Sequence, residues 1–250
     1  MEIIIYLLSL IPVLIIMWLL YYMDDEKESF LLLLGLFIGG CLSLILINFM
    51  ATKLYDFDPD MLYGEISTIQ QFLEKFALVA VCEEFAKWII LYFIVWRNKE
   101  FNHLYDGMIY AVYVSMGFAV VENFNYMMEY GDIMTLVSRS LLTVPAHACF
   151  GIMMGGYLAD SKCYKGTNRD YYKYLSFFIP VILHGLYDFL LSFDDNVFVI
   201  FLVFFVIMVI MSIRKFNKYL DMEDVELIDE VKKEEEKKED IVNFNFDMKG

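Results

Sequence analysis

Seven apolar runs, at residues 3–22, 30–50, 72–96, 105–128, 136–159, 174–192 and 196–213, dominate the chain. Most are close to the ~20 residues that a helix needs to cross the hydrocarbon layer. In that layer every backbone N–H and C=O must be satisfied within the protein, so the runs predict helices. The expected fold class is all-α: a polytopic integral membrane helical bundle with about seven transmembrane helices. Composition agrees, because 60% of the residues are hydrophobic against roughly 45–50% in soluble domains. A net charge of −15 argues against a nucleic-acid partner, which needs a basic face. Cys41, Cys82, Cys149 and Cys163 show neither CxxC spacing nor a secreted disulfide framework; the three within apolar runs read as small hydrophobes, with Cys82 beside Glu83 and Cys149 near His147 as ligands the alternative.

The first run follows Glu2 without a basic leader or an A-x-A-like site, so it reads as a retained span. Residues 1–213 are expected to form the membrane-embedded domain, with 214–250 a charged cytoplasmic tail containing the mixed run Lys232–Asp240. The polar stretch 51–71, with Asp56-Phe57-Asp58-Pro59-Asp60, reads as a connection or a short interfacial segment. Basic residues follow the odd-numbered runs: Lys27, then Arg97 and Lys99, then Lys162, Lys165, Arg169 and Lys173, then Arg214, Lys215 and Lys218. By the positive-inside rule the N-terminus is outside and the C-terminus cytoplasmic in the cell membrane. Gly35-x-x-x-Gly39 and Gly151-x-x-x-Gly155 are spacings that permit close helix approach.

Within these runs, polar residues are few. The third holds Glu83, Glu84 and Lys87; the fourth Glu122, Asn123, Asn125 and Tyr126; the fifth Arg139 and His147; the sixth His184 and Asp188. Each charge costs roughly 2.5–3.5 kcal/mol at the centre of a span, so something must offset it. Lys87 lies three and four residues from the two glutamates and can face either. At ~1.5 Å per residue, Glu83 and His147 fall roughly 16 Å, His184 roughly 12 Å and Glu122 roughly 9 Å below the outer edge. The groups share one layer in the outer half of the membrane, with Asp188 one turn above His184. Four acids face two cations there, unless Arg139 snorkels outward. Protonation or a bound divalent cation is left to balance the rest. Two imidazoles with carboxylates suit zinc in ligand type, with Glu83, Glu122, His147 and His184 the candidates, although no compact ligand spacing is present. Pro145 and Pro180 each remove an N–H from a run, which fits a polar pocket. His103 reads as exposed in a basic connection.

Taken in order, Glu83-Glu84-x-x-Lys87, Phe118-x-x-x-Glu122-Asn123, Pro145-Ala146-His147 and His184-x-x-x-Asp188 resemble the PrsW family of intramembrane proteases, which are related to the type II CAAX prenyl endopeptidases and the ABI family. The likeness covers the core motifs between 72 and 191. It implies a water activated by Glu83 or Glu84, with Glu122 standing where the wider superfamily has a histidine. It also implies that His147 helps hold water or metal and that His184 and Asp188 stabilise the oxyanion. Lys87, Asn123, Asn125, Tyr126 and Arg139 would support them. The implied substrate is a single-pass membrane protein, such as an anti-sigma factor cut at its first site. Two other readings of the same polar core are a non-catalytic scaffold and an ion or proton transporter. Against transport, no paired discontinuous spans recur in two halves.

Overall fold

A computed structural model describes residues 2–24, 27–57, 72, 79–163, 167–193 and 195–221. Residues 58–71 of the connection expected at 51–71, the start of the third run at 73–78 and the charge run at 232–240 lie outside the described residues. Those described are helical almost throughout. They form α1 (Glu2–Met23), α2 (Phe30–Phe57), α3 (Val81–Val95), α4 (Leu104–Glu129), α5 (Ile133–Ser138), a π-helical turn (Arg139–Thr143), α6 (Val144–Cys163), α7 (Thr167–Leu191) and α8 (Asp195–Asp221).

Among the described residues five segments are long and apolar enough to cross a membrane: Phe30–Lys53, Leu104–Glu129, Ile133–Lys162, Thr167–Leu191 and Val197–Leu220. Leu7–Met23 is a shorter apolar helix, and α3 is described only from Val81. The count is therefore five membrane-length helices where about seven spans are expected.

α4 is the axis of the bundle. Its apolar window is 83% buried, against 17% for α8, so α4 packs on protein nearly all round while α8 turns one broad face outward. α6 lies along α4, with α1, α2 and α3 on one side and α7 and α8 on the other. α3 also meets α7, so α3, α4, α6 and α7 enclose a space between them. The outward faces carry large apolar side chains such as Trp18, Leu31, Ile45 and Val199, a surface suited to hydrocarbon rather than water.

Missing side chains bring the central helices together. A Cβ on Gly155 would lie 1.9 Å from the Gly107 carbonyl oxygen, and one on Gly117 would lie 2.0 Å from that of Phe37. Without a hydrophobic driving force in lipid, association depends on such close backbone packing. The spacing Gly151-x-x-x-Gly155 does mark a contact, with α4. Gly35 does not, since a Cβ there would have nothing within 4 Å. Gly40 makes the close approach instead: a Cβ on it would lie 2.0 Å from the Val114 carbonyl oxygen.

Two boundaries differ from the sequence reading. α2 continues to Phe57 rather than ending near 50. α8 continues to Asp221, so residues 214–221 belong to the bundle and not to a tail. Phe216 and Tyr219 are buried, and Lys215 reaches Asp160 at 3.2 Å, which explains why the helix outlasts its apolar run. His103 is half-buried rather than exposed, because it caps α4: its backbone N–H donates to Asp106 Oδ2 at 2.6 Å.

Candidate active site

Adjacent residues on a helix point about 100° apart, and this separates the two glutamates of α3. Glu84 is fully buried and its Oε1 accepts from Lys87 Nζ and His184 Nδ1, both at 2.8 Å. Glu83 instead lines a cavity of about 470 Å³. Its Oε2 lies 3.6 Å from Lys87 Nζ and 3.8 Å from His184 Nε2, and it accepts no hydrogen bond among the described residues.

On α7, His184 presents Nε2 to the same space, 3.4 Å from Asp188 Oδ2 one turn on. Phe150 of α6 stacks on the imidazole, with centroids 4.7 Å apart and planes 17° from parallel. On the facing wall Glu122 Oε2 meets His147 Nε2 in a 2.8 Å hydrogen bond and is ion-paired with Arg139 Nη2 at 2.7 Å. Arg139 is turned inward rather than snorkelling. Its Nε donates to Asn123 Oδ1 at 2.7 Å, and its guanidinium sits 3.9 Å over the Tyr126 ring.

The π-helical turn accounts for that placement. Val144 N–H bonds to the Arg139 carbonyl, five residues back, where an α-helix would reach four. Pro145, which follows directly, has no N–H to return the chain to the tighter register. Together these turn Arg139 into the cavity wall.

Lys87 joins the two walls. Besides its bond to Glu84 it lies 3.4 Å from His147 Nδ1 and 3.7 Å above the Phe118 ring. An ammonium only donates, so His147 Nδ1 is the acceptor and Nε2 carries the proton given to Glu122.

Glu83, Glu122, Arg139, His147, His184 and Asp188 thus all line one cavity, at whose far rim stand Tyr130, Thr135 and Ser192. Glu84, Lys87 and Asn123 stand behind it. Asn125 does not take part and is exposed: two residues beyond Asn123 is about 200° of helix, so it points the other way. Neither Cys82 nor Cys149 lines the cavity. Phe150 and Tyr187 were not singled out from sequence, although each lies three residues after a site histidine and so shares its face.

Residues 28–213 match the family described as PrsW family intramembrane metalloprotease. The chain belongs to the PrsW family. It is 37% identical over 173 residues to a protein named Protease PrsW from Geobacillus kaustophilus, covering 68% of this chain and 72% of that one. It is 35% identical over 184 residues to one of the same name from Oceanobacillus iheyensis, covering 72% and 80%. A third, from Clostridioides difficile, is 30% identical over 199 residues, covering 78% and 82%. No solved structure matches significantly. With its apolar helices, membership in this PrsW family makes the chain an integral membrane protein.

The family's description implies a metal ion, and the donor set can be tested for one. Among the described residues no three His, Cys, Asp or Glu side chains are placed to hold a metal ion. His147 has one ring nitrogen on Glu122 and the other against an ammonium, and Glu122 already carries Arg139. The set Glu83, Glu122, His147 and His184 therefore does not fit a metal centre in this arrangement.

Proposed function

We propose that this chain is an intramembrane endopeptidase whose general base is Glu83, acting on a water in the cavity beside the scissile peptide bond. The observation that carries this reading is the contrast on α3: Glu83 lines the cavity, while Glu84 is fully buried behind it with its Oε1 held by Lys87 and His184.

Glu83 takes a proton from the water as its oxygen adds to the carbonyl carbon, converting the carbonyl to an oxyanion. His184 is held by Glu84 at Nδ1, and its Nε2–H donates to that oxyanion. The proton on Glu83 then passes to the amide nitrogen, the C–N bond breaks, and an acid and an amine leave. Arg139 and His147 fix the Glu122 carboxylate on the opposite wall, and Glu122 there and Asp188 beside His184 orient the peptide's N–H groups. The substrate is a single-pass membrane segment entering from the rim at Tyr130 and Ser192. With the N-terminus outside and the C-terminus cytoplasmic that rim faces outward, which supports first-site cleavage of an anti-sigma factor as the biological reaction.

The test uses the full chain in vesicles with a single-pass peptide substrate. Glu83→Gln preserves shape and is expected to lose roughly 10²–10⁴-fold in turnover, with an unchanged melting temperature. Cleavage persisting at the wild-type rate would remove Glu83 from the reaction. A wild type that cuts nothing, with a core that unfolds on substitution, would favour the scaffold reading.

A further inference from the structure

At the end of the bundle away from the cavity rim, α3 presents a ladder of stacked rings. Trp88 and Tyr92 have centroids 5.2 Å apart and planes 9° from parallel; Tyr92 and Trp96 follow at 5.0 Å and 26°. α7 lays two cations on this ladder. Lys173 Nζ lies 4.0 Å from the Tyr92 ring centroid and 5.1 Å from that of Trp96, and the Arg169 guanidinium lies 5.0 Å from Trp96. Lys173 also donates to the Tyr92 hydroxyl at 2.7 Å.

Among the described residues, acids pair with Lys87, Arg139 and Lys215, whereas Arg169 and Lys173 meet rings. Arg169 is exposed, in the first turn of a helix long enough to cross a membrane, so the pair sits at headgroup depth. Indole and phenol rings belong at that level. A guanidinium fork beside an ammonium is the donor set that suits a phosphate diester, and basic sites between helices at the cytoplasmic face take acidic headgroups.

We propose that Arg169 and Lys173, standing over Tyr92 and Trp96, hold the headgroup phosphate of an anionic phospholipid at the α3–α7 seam. The same two helices carry Glu84 and His184. Along their seam they are joined by Trp88 Nε1–H donating to Ser176 Oγ at 2.8 Å and by the Phe85–Phe177 edge contact. A phosphate fixing these two α7 cations over the α3 rings steadies that pairing. If the chain is the peptidase argued above, on which this consequence alone rests, acidic lipid raises its turnover.

The test needs no protease assay. The purified full chain is reconstituted in phosphatidylcholine vesicles with or without phosphatidylglycerol, and retained lipid is counted by native mass spectrometry after detergent extraction. Wild type is expected to keep phosphatidylglycerol and to melt higher with it. Arg169→Gln should weaken retention roughly fivefold, and Arg169→Gln with Lys173→Gln should do so again by a similar factor. Lys173→Arg should retain the lipid. Because Arg169 is exposed and meets one ring, its single variant keeps the experiment decisive if the double variant unfolds. Retention by Arg169→Gln equal to wild type would overturn the site. So would an equal rise in melting temperature on adding soluble glycerol phosphate to phosphatidylcholine vesicles, which would assign the cations to a free anion.

Discussion

Two neighbouring glutamates illustrate how one residue step divides labour. Removing the charge of Glu84 takes away the 2.8 Å partner of buried Lys87 and leaves it Glu83 at 3.6 Å, and breaking a buried pair costs up to about 3–5 kcal/mol. Glu84→Gln is therefore expected to lower the melting temperature strongly, whereas Glu83→Gln, which leaves Lys87 its 2.8 Å partner, should barely move it; thermal unfolding of both in detergent checks the contrast. A second expectation follows from the donor set. With His147 committed on both nitrogens, cleavage should survive a strong zinc chelator, and loss of activity restored by added zinc would show that the site rearranges around a metal. Much of this site could be read from the residues alone, since ionisable groups in apolar runs are few and their depths agree. Spacing could not tell Glu83 from Glu84, because both lie within reach of Lys87. It could not reject Asn125 either: which face of α4 meets Arg139 depends on a π-helical turn that leaves no pattern beyond Pro145.

Helix contacts are set by what is absent. The Gly151-x-x-x-Gly155 spacing points to one interface, and its partner face on α4 carries Gly107, Ala111 and Ser115 at the same repeat, but which two faces pair emerges only from the fold. The same holds for Gly40 and Gly117, which let α2 and α4 touch through their backbones. A side chain at Gly155 would meet the Gly107 backbone, which cannot step aside as a flexible side chain can. Gly155→Val is expected to cost at least about 2 kcal/mol by overpacking, and Gly35→Val, with open space around it, close to nothing. Comparing the two melting temperatures tests whether α4 and α6 are held by backbone contact. The end of α8 escaped the hydropathy pattern because a helix continues past its apolar run where polar side chains find partners, as Lys215 does with Asp160.

Across the whole molecule the connections expected on one side do gather at one end. Ser29 N–H donates to Glu100 at 3.3 Å, Lys162 to the Phe101 carbonyl at 2.9 Å and Lys215 to Asp160 at 3.2 Å, so the basic alternation in the sequence reports a real sidedness of the bundle. At this end the α1–α2 connection is fastened to the central helix by the Tyr110 hydroxyl, which donates to Glu28. Burial lifts the Glu28 carboxyl to about 8; the Tyr110 hydrogen bond opposes the rise, and the Asp106 and Asp24 carboxylates reinforce it. The folded chain therefore keeps a proton that the unfolded chain releases near 4.5. Stability from this group is complete below the unfolded value, declines as pH rises between the two, and is gone once pH passes the folded one. Solvent reaching the partly buried carboxyl discounts the full effect of about 5 kcal/mol, so wild type should lose on the order of 2 kcal/mol between about pH 5 and about pH 8.5. Glu28→Gln keeps a carbonyl oxygen for Tyr110 but cannot itself titrate, so its melting temperature should fall less than wild type's over that interval. A wild-type profile as flat as the variant's would mean that Glu28 is already ionised at neutral pH and that the fastening does not depend on its proton.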